Sequence, residues 1–172
     1  MQRINLFPNP DFQPGGAVVT TNRVAATIQG DSLHVTAQRT SLDSYAMMII
    51  SNLTPGDTMI FAVTETSTLA DSYSIVTISN SSWSVLSVVM RSSGQRAVGM
   101  PFTVPADGVL RILFYPYRHD GASDPSGTHV FTHPQLELAS TYTGNEEGGG
   151  GSFSAVPPCR STSPMRTGGP SC

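Results

Sequence analysis

An all-β chain is what this sequence predicts: an antiparallel β-sandwich of jelly-roll type with an extended C-terminal arm. Three observations predict it. Strand-like runs are short and recur at near-regular spacing, the residues between them are turn formers, and no stretch carries a capped helical period.

The runs read VAATI (24–28), SLHVTAQ (32–38), YAMMII (45–50) and TMIFAVTET (58–66). After them come SYSIVTIS (72–79), WSVLSVVM (83–90), VGMPFTV (98–104), GVLRILFYPY (108–117) and THVFTHPQLEL (128–138). Leu33, Val35 and Ala37 alternate with His34 and Thr36, the period of a strand with one buried face. Leu110, Ile112 and Phe114 share one face of their run, and Arg111 lies on the other. Gly30-Asp31, Thr54-Pro55-Gly56-Asp57, Ser92-Ser93-Gly94 and Pro105-Ala106-Asp107-Gly108 punctuate the runs with turn chemistry. About nine strands at this spacing form two packed sheets.

Composition narrows the function classes. The length, 172 residues, suits one domain that buries roughly 70% of its unfolded surface. Net charge is -3, and all nine basic residues are arginines with no cluster or stripe, so no nucleic-acid partner is expected. No apolar run approaches the ~20 residues of a membrane span, so no membrane partner is expected either. MQRINLFPNP lacks the apolar segment of a signal peptide, which predicts synthesis that ends in a cytoplasm. The sequons at Asn52 and Asn80 are accordingly read as unmodified.

The domain is bounded at 1–143. Residues 144–172 form a Gly/Ser/Pro-rich tail that cannot bury enough apolar surface to offset its ordering entropy. Cys159 and Cys172 both lie in it, so no disulfide supports the main domain.

Chemistry is sparse. No Gly-x-Ser-x-Gly elbow and no phosphate loop occurs, and the four glutamates form no evident pair, so no enzyme and no cofactor is expected. His129, His133 and Glu137 share a strand parity, but four residues of strand span roughly 13 Å, too far for shared ligation. They are read as polar positions on an outer face, and Asp120 and Asp124 as solvated loop acids; no metal is expected. Trp83, which begins its own run, and Arg111, Tyr115 and Tyr117, which share a parity, are the candidate saccharide-binding residues. Aromatic faces cover sugar C–H surfaces while polar groups fix the hydroxyls. The competing reading is ordinary packing of rim aromatics.

Two stretches carry a family resemblance. Asn5-Leu6 with Asn9-Pro10-x-Phe12 opens the domain, and Gln135-Leu136-Glu137 followed by Ser140, Thr141 and Tyr142 closes it. With SNLTPGDTMIFAVTETS between them, residues 4–142 resemble the carbohydrate-binding-module-like jelly rolls of minor tail proteins from phages that infect actinobacteria. The resemblance implies that first and last strands lie side by side, with Leu6 and Phe12 packed near Leu136 and Leu138. The chain departs from related modules at their structural calcium site: Gln13 and Thr132-His133 stand where acids are common, so that site is expected to be absent.

It further implies a non-enzymatic virion component, made in the host cytoplasm and built into the tail. Its partners would be other virion proteins, copies of itself and a host cell-surface saccharide. The alternatives are a capsid decoration protein of the phage head and a free carbohydrate-binding module. The tail would then dock on neighbouring subunits, with Phe153, Val156, Pro157, Pro158, Cys159, Met165 and Cys172 as candidate contacts. Reduced thiols are the cytoplasmic default there; a disulfide formed after virion release is the alternative.

Overall fold

A computed structural model describes residues 4–13, 19–39, 43–68, 73–92, 95–117 and 127–142. The candidate subunit contacts from Phe153 to Cys172, and Asp120 and Asp124, lie outside the described residues. Eleven strands occur among the described residues, none of which is helical: β1 (Thr20–Asn22), β2 (Val24–Gln29), β3 (Ser32–Ala37), β4 (Tyr45–Ile50), β5 (Thr58–Ser67), β6 (Tyr73–Ser79), β7 (Val85–Ser92), β8 (Gln95–Val98), β9 (Phe102–Thr103), β10 (Leu110–Tyr117) and β11 (Thr128–Leu138).

They form two antiparallel sheets. Sheet A has the order β1-β4-β10-β6-β7; sheet B has the order β2-β3-β11-β5-β8, with β9 also pairing with β5. The jelly-roll sandwich expected from the runs is therefore present. Two strands depart from the runs read in the sequence in ways that proline and polarity explain. Thr20–Asn22 is too short and too polar to show a period, yet it pairs with β4. The run VGMPFTV divides into β8 and β9, because Gly99 and Pro101 interrupt it and proline has no ladder donor.

Each strand's local chemistry sets its place. Gly30, at φ 62°, makes the tight link between Gln29 and Ser32 that turns β2 back as β3. Leu33, Val35 and Ala37 then face the core in the alternation the sequence shows. Arg23 is the single residue between β1 and β2, at φ 55°, where the chain leaves one sheet for the other. Between the sheets the phenylalanines interlock: Phe114 meets Phe131 edge-on at 5.0 Å and Phe12 at 6.3 Å, the offset geometry that aromatic quadrupoles favour.

The two ends meet as the resemblance implies, with Phe12 packed inside as expected and Phe7 taking the place expected of Leu6. Leu6 N donates to Leu136 O at 2.7 Å, while Asn5 Oδ1 accepts from Leu136 N and Asn5 Nδ2 donates to Pro134 O. Leu6 itself stays exposed; Phe7 and Phe12 are the residues that enter the core. Buried Asn9 closes the next turn, its Oδ1 accepting from Gln13 N and its Nδ2 donating to Gln13 O. That turn holds Phe12 at φ 43° with its ring fully inside. The motif asparagines are thus structural pins.

His129 and Glu137 are buried, not exposed on the outer face that their shared parity with His133 predicts. Register slips between Thr132 and Gln135, and His133 sits at φ 49° in this bulge, so parity reverses partway along β11. His129 therefore points inward with Phe131, and its Nδ1 lies 2.9 Å from Glu65 Oε1 with both side chains buried. Glu137 is also fully buried, and only His133 is an exposed polar position. A second strand carrying a buried carboxylate to the same depth gave no periodic signal along β11.

Candidate functional site

The outward face of sheet A is the part of the domain whose side chains do not suit plain solvent exposure. Ala46, Met48 and Ile50 of β4 and Leu110, Ile112 and Phe114 of β10 face the core, which turns the intervening residues outward. Strand register arranges these in ranks across the sheet. The first rank runs Ile49, Arg111, Ser79, Val85. The second runs Thr20, Met47, Leu113, Thr77, Val88. Asn22, Tyr45, Tyr115 and Ile75 make the third. An antiparallel sheet facing water normally alternates apolar-in with polar-out; here Ile49, Met47, Leu113, Val85, Val88 and Ile75 stand among the polar residues of the outer face.

Trp83 lies on top. Its ring is 6.2 Å from Tyr45, and Tyr45 meets Tyr115 edge-on at 5.6 Å. The Arg111 guanidinium carbon sits 4.4 Å from the Trp83 ring centre, within cation–π range. A ring that touches Arg111 in the first rank and Tyr45 in the third crosses the second. Leu113, in the second rank, is 1% exposed although it faces away from the core. Trp83 itself remains 51% exposed, its other face open.

The turn between β6 and β7 fixes this ring. Asn80 opens it, with Oδ1 accepting from Ser82 N at 3.0 Å and from Ser84 N at 2.8 Å. Trp83 N donates to Asn80 O at 3.1 Å, and Trp83 takes φ 67°, a left-handed conformation rare for a bulky residue. Arg111 Nη1 donates to the Asn80 and Ser81 carbonyls, tying the turn to β10. The Ser81 hydroxyl donates to the Asp107 carboxylate. That bond, helped by the Val109 backbone N–H, holds the Asp107 carboxyl below its usual range. Asp107 stands in a turn closed by Gly108, at φ 63°, where an added Cβ would lie 2.4 Å from Leu53 O. Burial pushes the Tyr115 phenol up, and the neighbouring Tyr45 and Asp43 add to the shift.

Three of the four candidate saccharide residues, Trp83, Arg111 and Tyr115, are brought together here. Trp83 does so from the turn and not from a strand, because β7 starts at Val85. Tyr117 continues the parity of β10 opposite Tyr73, and its side chain lies outside the described part of the structure. Tyr45 and the pins Asn80, Ser81 and Asp107 were missed. The available signals were the unbroken apolar run YAMMII and an asparagine placed to open the turn ahead of the only tryptophan. Among the described residues no three His, Cys, Asp or Glu side chains converge as metal ligands.

No family model matches the sequence, and no curated protein matches it. Solved structures do match. The CBM22-1 xylan-binding domain from Paenibacillus barcinonensis Xyn10C aligns over 79% of this chain and 95% of its own, at 10% identity and a TM-score of 0.53. A point variant of CBM29-2, a family 29 carbohydrate-binding module, aligns over 79% of this chain and 91% of its own, at 14% identity and a TM-score of 0.50. Likeness at these identities establishes the fold, a jelly roll like that of carbohydrate-binding modules.

Proposed function

We propose that this domain is a non-catalytic saccharide-binding module that holds its ligand on the outward face of sheet A. One observation carries the reading: Trp83, Tyr45 and Tyr115 converge on a single exposed face, with Trp83 locked in place by Arg111 before any ligand arrives. A ring held in advance loses little freedom on binding, so more of its contact energy appears as affinity. Ordinary packing accounts less well for a half-exposed tryptophan kept at a left-handed φ by three separate side chains. The test is fluorescence titration of Trp83, the only tryptophan, with cello-, manno- and xylo-oligosaccharides. Saturable quenching or a blue shift by at least one series, lost in Trp83→Ala when binding is followed by calorimetry, is the expected result. No response to any neutral glycan contradicts it.

A finer reading places this module on a phage particle, in the tail or as a capsid decoration protein, displaying the saccharide face outward. Its support is the pairing of Asn5-Leu6 with Leu136, the contact that the resemblance to minor tail proteins implies. Deleting residues 145–172 should then abolish incorporation into particles and leave saccharide binding intact. For a free module, the same deletion would change neither property.

A further inference from the structure

Four strand edges bound the two sheets, and three of them are blunted against further pairing. On sheet A, β1 is three residues long, and β7 carries the register slip opposite Ile78 and Ser79. On sheet B, Gly99 and Pro101 break the edge formed by β8 and β9. The fourth edge, β2, has none of these devices. It pairs with β3 without a slip from Val24 to Gln29 and holds no proline and no charged residue. No strand among the described residues pairs with its far side. Gln38 N donates to Arg23 O in the register of the β2–β3 ladder, so every second residue from Arg23 turns its backbone groups to β3. Ala26 and Ile28, which lie between those residues, turn theirs to the open edge.

This edge complements itself. Set antiparallel to a second copy with Thr27 opposite the partner's Thr27, Ala26 comes opposite the partner's Ile28, and the two exchange both backbone bonds. Threonines directly opposed make a favourable cross-strand pair. The same alignment sets Arg23, exposed at one end of β2, opposite the partner's Asp31, exposed in the turn at the other end. Arg23 also lies 3.5 Å from Asp43, and a guanidinium has donors enough for two carboxylates. A slip of two residues either way separates both charge pairs. We infer that this chain forms a two-fold dimer through β2, in register about Thr27. The axis of such a pair stands perpendicular to sheet B, so both sheet A faces look the same way. On the saccharide reading above, on which this consequence alone rests, the dimer grips one polymer at two places.

Sedimentation velocity of the full chain, from micromolar to millimolar concentration, reads the association. A reversible dimer is expected. Ala26→Pro removes a donor aimed at the partner and none that β3 uses. Thr27→Glu, on the exposed outer side of β2, sets two carboxylates across the axis, and Asp31→Arg sets a guanidinium opposite Arg23. Each should raise the dissociation constant of the dimer roughly tenfold or more; circular dichroism checks the fold, and the two charge variants carry the test if Ala26→Pro does not fold. A monomer at every concentration, which leaves the edge to a strand of another chain, overturns the inference. So does a dimer that all three variants leave intact. Short oligosaccharides should bind the wild type and Thr27→Glu alike, while a polymer of the same sugar should bind the wild type roughly tenfold more tightly or better. A dimer that binds no sugar removes the saccharide reading and leaves the β2 pairing standing.

Discussion

Arg111 holds Trp83 from two sides at once: its guanidinium lies 4.4 Å from the ring centre, and its Nη1 donates to the carbonyls of Asn80 and Ser81 in the turn that carries the ring. One side chain therefore sets both the position of the turn and the tilt of the aromatic face. Truncating Trp83 to alanine is expected to cost about 2 kcal/mol of binding or more, the scale of a hot-spot aromatic. Arg111→Ala keeps the ring but frees it. Saccharide affinity should fall at least tenfold, about 1.4 kcal/mol, and Trp83 emission should shift to the red in the unliganded protein. Unchanged emission in that variant would mean the ring is held by something else.

Asn80 supplies the turn with an acceptor that a water-exposed backbone cannot replace. Its Oδ1 receives both Ser82 N and Ser84 N. Asn80→Ala should lower stability by about 1–3 kcal/mol in urea unfolding, at roughly 0.5–1.5 kcal/mol for each of the two bonds lost. Asn80→Asp keeps an acceptor at that place and should restore most of the loss.

The buried pair of Glu65 and His129 is a stability element remote from the saccharide face. Glu65 Oε2 and His129 Nε2 lack partners among the described residues, so each side chain depends on the other. Removing one partner, as in His129→Ala or Glu65→Ala, should cost about 1–3 kcal/mol because a buried polar group is left unsatisfied. The double replacement by leucine should recover most of that, and a double-mutant cycle measures the coupling. Additive losses would show that the pair is not a unit.

Two groups make the site sensitive to pH in opposite ranges. Asp107 has a depressed value in the folded protein, so its contribution is present above the ordinary carboxylate value and is lost as pH falls through the folded one. Acid should therefore release the Ser81 tie and redden Trp83 emission before the sandwich unfolds. Tyr115 is raised, so its contribution is complete below the ordinary phenol value of about 10 and declines as pH climbs through the folded value. Tyr115→Phe should flatten the alkaline limb of the stability curve and leave the acid limb alone.

Much of this fold is legible in the residues because its strands announce themselves locally. Leu33-Val35-Ala37 shows its period, and Gly30 and Gly108 stand where only a positive φ closes the turn. What escaped was set by geometry that a period does not carry. The bulge at His133 reverses the parity of β11 and turns His129 into a core residue. β1 is three polar residues long and owes its pairing to the neighbouring strand. For the site, Arg111 and Tyr115 could be grouped by parity along one strand, whereas Tyr45 joins them only through the register of β4 with β10. Trp83 comes from a turn, where side-chain direction depends on the hydrogen bonds of Asn80.

The most direct test is amide and indole chemical-shift mapping of the labelled domain titrated with its tightest neutral oligosaccharide. The Trp83 indole N–H and the Leu113 and Tyr115 amides are expected to move together and saturate at one stoichiometry, while β2, β3 and β11 stay still. Shifts confined to sheet B, or a Trp83 indole indifferent to saturating sugar, would contradict this.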